Sequence, residues 1–103
     1  MKQQNNQYFV SIVQLRPFNQ EVLDYVKKKI QEDGNIFISK EVELKTGIDL
    51  YLNSNRFAIA LGKMLKKRFK GTVTLSRSLY SRDKQTMKLL YRVTVCFRLQ
   101  KDL

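Results

Sequence analysis

The 103-residue sequence predicts an α+β fold, in which two helices pack on one face of an antiparallel sheet. Two segments repeat apolar residues at helical spacing, and the segments around them alternate apolar and polar residues as strands do. Their order along the chain is β-α-β-β-α-β-β. The length and the 43% hydrophobic content fit one domain with its own core, which we place at residues 8–103, behind a disordered tail at residues 1–7.

The first strand and the first helix have clear sequence signals. Residues 8–15 are rich in β-branched and aromatic side chains, which favour a strand. Asn19 is a typical N-cap for a helix that begins at Gln20, and Gly34 is suited to end that helix. One face of the helix repeats the apolar residues Val22, Leu23, Val26 and Ile30. These signals predict a strand followed by a helix that packs through this apolar face.

A hairpin and a second helix are predicted next. Residues 36–44 and 48–52 alternate apolar and polar side chains, although Lys40 interrupts the apolar face of the first. Residues 45–47 offer a turn between them, so the two segments form a hairpin. Residues 53–55 are three candidate N-caps in a row, and an apolar stripe at helical spacing follows them.

Two more strands complete the predicted sheet. We expect Gly71 to end the second helix and a strand to begin at Thr72. A polar turn at residues 81–85 leads into residues 89–99, which have the cleanest alternation in the chain. One side of this last strand is apolar and the other carries cations such as Arg92, which is typical of a half-solvated strand.

The composition excludes several kinds of active site. The chain has no histidine and a single cysteine, Cys96, which rules out Ser-His triads, His-ligated zinc, cysteine-based metal sites and internal disulfides. It also has no glycine-rich phosphate loop. We therefore expect a protein that is not an enzyme, has no small-molecule substrate and needs no cofactor or metal. The lone thiol, the lack of an export signal and the lack of an apolar run long enough for a membrane span predict the cytoplasm.

The net charge of +11 is concentrated in the second half of the chain. Residues 1–55 carry seven basic and seven acidic side chains, whereas residues 56–103 carry thirteen basic and two acidic ones. Charge of one sign on one part of a small domain is typical of a protein that binds a polyanion. The alternative is a basic protein whose lysines only keep it dispersed.

Six cations in and beside the second helix form the first candidate RNA-binding cluster. They are Arg56, Lys63, Lys66, Lys67, Arg68 and Lys70. The four lysines are related to one another by steps of three or four residues, so we expect them to share one face of the second helix. Long cationic side chains along a rigid helix suit a phosphate backbone. The alternative is a solvated face whose lysine stems cover apolar surface.

A second candidate cluster lies on the last hairpin and consists of Arg77, Arg82, Lys84 and Lys88. A basic hairpin can lie along a nucleic-acid backbone, but charges on a hairpin also discourage strand edges from pairing with other chains. On the last strand, Arg92 and Arg98 are either solvated or paired across strands with Glu41 and Glu43. The sequence does not decide between the two roles of the hairpin cluster, or between the two states of Arg92 and Arg98.

Aromatic and acidic side chains give weaker signals. Unpaired bases could stack on the rings of Tyr8, Tyr51, Tyr80 and Tyr91. Because the chain lacks the aromatic pattern of RRM domains, we expect most of these rings to pack in the core. A small nuclease could use Asp49, Glu41 and Glu43, but solvated strand faces explain these carboxylates better.

Three stretches point to a known family. They are residues 8–16 (YFVSIVQLR), residues 46–52 (TGIDLYL) and residues 73–95, which contain VTLSRSL, RD and YRVTV. In this order and spacing they resemble the middle domain of the archaeal and eukaryotic large-ribosomal-subunit export adaptor, historically called nonsense-mediated mRNA decay protein three, in its archaeal type. The resemblance covers almost the whole chain.

This resemblance implies a fold similar to that of a eukaryote-type large-subunit ribosomal protein. It also implies a partner, the late large ribosomal subunit near its intersubunit face and tRNA sites. The Cys-x-x-Cys zinc module and the exporter-recruiting tail of the family are not matched, so we expect neither function and regard the chain as a piece of a longer protein or a short relative. The expected function is a non-enzymatic module that binds ribosomal RNA of the large subunit. The alternative is a protein-interaction domain that contacts another ribosomal factor.

Overall fold

A computed structural model of the protein describes residues 9–82 and 89–100. The predicted tail at residues 1–7 and most of the predicted turn at residues 81–85 lie outside the described residues. The element order β-α-β-β-α-β-β is confirmed. The elements are β1 (Ser11–Arg16), α1 (Gln20–Asp33), β2 (Ile38–Leu44), β3 (Gly47–Leu52), α2 (Asn55–Arg68), β4 (Gly71–Arg82) and β5 (Leu89–Leu99).

The five strands form one sheet in the order β2-β3-β1-β5-β4. β1 lies at the centre and pairs antiparallel with β3 but parallel with β5. The sheet is therefore mixed, and the expectation of a wholly antiparallel sheet is wrong at this one pairing. The reason is the alternation of direction along the chain: each of the seven elements reverses the one before it, so the first and last strands point the same way. The α+β class itself is confirmed.

One apolar core lies between the helices and one face of the sheet. The buried residues of α1 and α2 belong to the same cluster as those of β1, β3 and β5, so both helices cover the same face, as predicted. Three of the strands contribute alternate residues to this cluster. They are Val13 and Leu15 of β1, Ile48, Leu50 and Leu52 of β3, and Val93, Val95 and Phe97 of β5. The other face of the sheet, which no described helix covers, is called the open face below.

The helix boundaries follow from their caps. Asn19 accepts a hydrogen bond from the Val22 N–H at 3.1 Å, and Gly34, with φ of 85°, ends α1 as predicted. Of the three candidate caps at residues 53–55, Ser54 is the one that caps α2, through a bond from the Phe57 N–H at 3.0 Å. Both helices therefore start where the sequence places a capping side chain.

The end of α2 differs from the prediction. The helix stops at Arg68, and Gly71 is the first residue of β4 rather than the end of the helix. Phe69 leaves the helical conformation, and its ring packs edge-to-face on Tyr25 with the centroids 5.5 Å apart. Gly71 is needed in the strand because a Cβ there would collide with the carbonyl oxygen of Arg98.

A bulge in β2 explains why Lys40 interrupts the apolar alternation. Ile38 pairs with Leu52, whereas Lys40 pairs with Tyr51, so the register shifts between them. Lys40 and Val42 consequently lie on the open face, and Ile38 packs against the core.

Candidate nucleic-acid interface

The outer side of α2 carries a line of three exposed cations. Arg56, Lys63 and Lys67 are spaced by seven and four residues, and at 3.6 residues per turn this spacing places them on one side of the helix. The opposite side is buried through Ala58, Leu61, Gly62 and Leu65. Because the core fixes that buried side, the three cations, here called the basic line, lie on the outer side of α2, and Lys63 also borders the sheet beside β4.

The other cations of this cluster lie elsewhere. Lys66, together with Lys63, lines a groove between α2 and β4. Arg68 and Lys70 line a separate hollow beside the first turn of α1. Lys70 lies beyond the end of α2, so the expectation that it shares a helix face with Lys63, Lys66 and Lys67 is wrong.

Polar contacts fix the first turn of α2 against β5 and β1. The hydroxyl of Ser11 donates to the carbonyl oxygen of Ser54 at 2.8 Å. The side chain of Asn55 donates to the carbonyl oxygen of Tyr91 at 3.0 Å and accepts from the Val93 N–H at 3.2 Å. These bonds set the position of the helix that carries the basic line.

Gly62 allows the middle of α2 to approach the β4–β5 hairpin closely. A Cβ at this position would lie 2.9 Å from Cγ1 of Val95 and 3.2 Å from Cγ1 of Val73. Beside this contact a groove of about 250 Å³ opens between α2 and β4. The groove, called the β4 groove below, is lined by Ile59, Gly62, Lys63, Lys66, Val73, Leu75 and Val95.

Only one residue of the predicted hairpin cluster has a described side chain. Arg77 is exposed and pairs with Val93, which places it on the same side of the sheet as the helices. The backbone of Arg82 pairs with Leu89, but the side chain of Arg82 lies outside the described part of the chain. The same is true of the whole of Lys84 and Lys88.

The ion pairs of the described residues all lie in the first half of the chain. None of them includes a cation of α2, or Lys70 or Arg77. The three pairs are Arg16–Asp49 at 2.6 Å, Lys27–Glu41 at 3.0 Å and Lys29–Glu32 at 3.4 Å. The charge of the first half is therefore partly neutralised within the fold, whereas that of α2 is exposed to solvent.

Arg92 and Arg98 lie on the open face, on the side of β5 that the alternation predicts to be polar. Their suggested pairing with Glu41 and Glu43 is wrong, because β3 and β1 separate β2 from β5. Glu41 instead pairs with Lys27 of α1, on the side of the sheet that the helices cover.

An aromatic pair between two cations on the open face was missed from the sequence. Phe9 and Tyr51 pack edge-to-face with centroids 4.8 Å apart. Nζ of Lys40 lies 4.6 Å from the centre of the Tyr51 ring, and the guanidinium of Arg92 lies 4.1 Å from that of Phe9. The register shift in β2 brings Lys40 beside Tyr51, and its one sequence signal is the interruption of the apolar alternation by Lys40. The rings of Tyr8 and Tyr80 are outside the described residues.

The candidate carboxylates do not converge. In the ladder between β2 and β3, Asp49 lies opposite Val42 and its side chain is on the open face. Glu43 lies opposite Ile48, and its side chain is on the side that the helices cover. Within residues 9–82 and 89–100, no three His, Cys, Asp or Glu side chains are close enough to hold a metal ion. The geometry thus gives no support to the nuclease alternative.

Together these features define a small α+β domain with a basic helix face. A family model described as "NMD3, second domain" matches residues 8–99, so the chain belongs to this family. This is the family of the large-ribosomal-subunit export adaptor, whose members associate with the large subunit. The family is not known as an enzyme family. No curated protein matches the chain. Neither of the two described helices is long and apolar enough to cross a membrane.

Proposed function

We propose that this domain docks its protein on the large ribosomal subunit by binding phosphates of ribosomal RNA through the basic line and the β4–β5 hairpin. The observation that carries the proposal is the set of exposed cations on α2, none of which forms an ion pair with another described residue. The domain acts in the cytoplasm, without a cofactor or a small-molecule substrate.

The spacing of the basic line supports backbone binding. Arg56 and Lys67 are eleven residues apart, so they lie about 16 Å apart along a rigid helix axis. Cations held at such intervals can contact several successive phosphates at once and release their counterions. Contacts of this kind position a protein on RNA without reading the base sequence.

The hairpin extends this surface. Asn55 of α2 contacts Val93, and Arg77 pairs with Val93 in the sheet, so Arg77 lies level with the first turn of α2. The remaining cations of the proposed hairpin contact follow Arg77 along the chain, and they are Arg82, Lys84 and Lys88. The proposed RNA-binding residues therefore run from α2 toward the tip of the hairpin, with Lys66, Arg68 and Lys70 at the other end of the helix.

The direct test is co-sedimentation of the purified chain with separated large and small archaeal ribosomal subunits over a series of salt concentrations. We expect selective pelleting with the large subunit. If about five phosphates are engaged, the plot of log affinity against log salt should have a slope of about −3.5 to −4.5. Equal pelleting with both subunits would contradict docking on the large subunit, and pelleting that ignores salt would contradict phosphate binding.

A further inference from the structure

β4 presents a long strand edge that no described residue covers. The strand spans twelve residues, lies at the end of the sheet order and pairs only with β5 among the described strands. In an antiparallel pair, backbone N–H and C=O groups of alternate residues point away from the partner strand. An edge strand with such free groups is a template for pairing with another chain, unless charges or bulges prevent it.

On the side of the sheet that the helices cover, apolar side chains near this edge extend past α2 and remain exposed. Leu75 and Leu79 pair with Val95 and Tyr91, so they lie on the side that faces the helices, yet they are 45% and 56% exposed. Tyr91 beside them is 42% exposed. Leu75 also lines the β4 groove, and Leu79 and Tyr91 extend the exposed apolar surface along the hairpin beyond it.

Cations surround this apolar surface. Lys63 and Lys66 line the α2 side of the groove, and Arg77 lies on β4 between the two exposed leucines. All three are exposed, and none forms an ion pair within the described part of the chain. An occupant that buries its apolar side chains here therefore gains affinity by placing negative charge beside these cations.

We propose that β4 and the β4 groove bind an extended segment of a partner protein in which every second residue is alternately apolar and acidic, so that apolar and Asp or Glu side chains follow one another on the same side of the strand. The segment adds to the sheet as a sixth strand through backbone hydrogen bonds to the β4 edge. Its apolar side chains contact Leu75 and Leu79 and enter the groove. Its carboxylates face Arg77, Lys63 and Lys66.

The charges also argue against a second copy of this chain as the occupant. Arg77 lies at the middle of β4, so antiparallel pairing of two whole β4 strands would place the two Arg77 side chains beside each other. Like charges directly opposite each other destabilise a strand pair. Arg77 thus disfavours self-pairing and favours an acidic strand. Lys63, Lys66 and Arg77 are also proposed RNA contacts, whereas Leu75 and Leu79 are not, so changes to the two leucines test this inference separately from RNA binding.

The test uses three synthetic peptides of about ten residues, a length that spans most of β4 at about 3.3 Å per residue. The first, called the Val-Glu peptide, repeats Val-Thr-Glu-Thr, so that Val and Glu take turns on one side of the strand. The second, called the Val-Lys peptide, has Lys in place of Glu, and the third is the Val-Glu peptide with alternate backbone nitrogens methylated. We expect amide NMR signals of β4 and α2 to shift with the first peptide, and the other two to bind at least about tenfold more weakly. No binding of the Val-Glu peptide, or equal binding of the methylated one, would overturn the proposal, as would dimerisation in place of peptide binding.

Three variants test the site, and the first of them separates it from RNA binding. The double variant Leu75→Thr with Leu79→Thr should lose Val-Glu peptide binding while pelleting with ribosomal subunits as the unchanged chain does. Ser76→Thr with Ser78→Thr alters the other side of the same strand and should retain both activities. Arg77→Glu should reduce the preference for the Val-Glu peptide over the Val-Lys peptide, because only Lys63 and Lys66 would remain to face the carboxylates. A preference that Arg77→Glu leaves unchanged would contradict the assigned charge contacts.

Discussion

Nη2 of Arg16 lies 2.6 Å from Oδ1 of Asp49, and this ion pair joins β1 to β3 on the open face of the sheet. The two side chains are only 12% and 11% exposed. Nη1 of Arg16 also donates to the carbonyl oxygens of Leu15 and Ile48, at 3.1 and 3.3 Å. The carboxylate that the sequence offers as a catalytic candidate therefore has a structural partner, which holds it in place between two central strands.

Removing this carboxylate should destabilise the fold. We expect Asp49→Ala to lower the free energy of unfolding by about 1.5 to 3 kcal/mol, because the charge of Arg16 would remain mostly buried without its partner. Glu41→Ala is the matched control: it breaks the Lys27–Glu41 pair, whose side chains are 44% and 39% exposed, and should cost no more than about 1 kcal/mol. Urea denaturation measures both values, and equal losses would contradict the structural role of Asp49.

The side chain of Asn55 should matter both for stability and for ribosome binding. We expect Asn55→Ala to cost about 1 to 2 kcal/mol, because it removes the bonds to Tyr91 and Val93 that fix α2 on β5. Hydrogen exchange should become faster in the first half of β5, and affinity for the large subunit should fall. Asn53→Ala is the control, because its two bonds go instead to Phe37 and Asn35. It should lose similar stability and keep its affinity; a matching loss of affinity would contradict the prediction.

Replacing Gly62 should reveal how closely α2 approaches the sheet. Alanine has the higher helix propensity by about 1 kcal/mol, but its Cβ would lie 2.9 Å from Cγ1 of the fully buried Val95. We expect Gly62→Ala to be net destabilising by about 1 to 2 kcal/mol, because the well-packed core cannot make room. Combination with Val95→Ala should give a loss smaller than the sum of the two single losses. A more stable Gly62→Ala variant, as measured by thermal unfolding, would show that the helix can move away.

The elements of the fold were predictable because each has local signals. Asn19 and Ser54 cap their helices through their own side chains, and the alternation of β5 directly predicts its buried face. The parallel pairing of β1 with β5 was not predictable in this way, since neighbours in a sheet depend on how distant elements pack. The early end of α2 was missed for a similar reason, because Phe69 leaves the helix to pack on Tyr25.

The candidate site was predictable only in part. The excess of positive charge after residue 55 and the helical spacing of Lys63 and Lys67 are visible in the sequence. The β4 groove is not, because it depends on the distance between α2 and β4 and on the exposure of Leu75, an apolar residue in an alternating strand. Such a residue is usually buried, but Leu75 lies on the edge strand of the sheet and is 45% exposed.

Reversing two charges of the basic line should weaken ribosome binding without affecting the fold or the β4 groove. Arg56→Glu with Lys67→Glu changes exposed side chains that line neither the groove nor the core. Loss of two phosphate contacts should make the salt slope shallower by about 1.5, and the large subunit should bind many-fold more weakly at low salt. Lys28→Glu with Lys45→Glu gives the same change in net charge on exposed residues of the first half. Co-sedimentation should show a much smaller loss for this control, since the contacts proposed here depend on where the charge lies. Equal losses for the two double variants would mean that net charge alone governs binding, and would contradict the basic line.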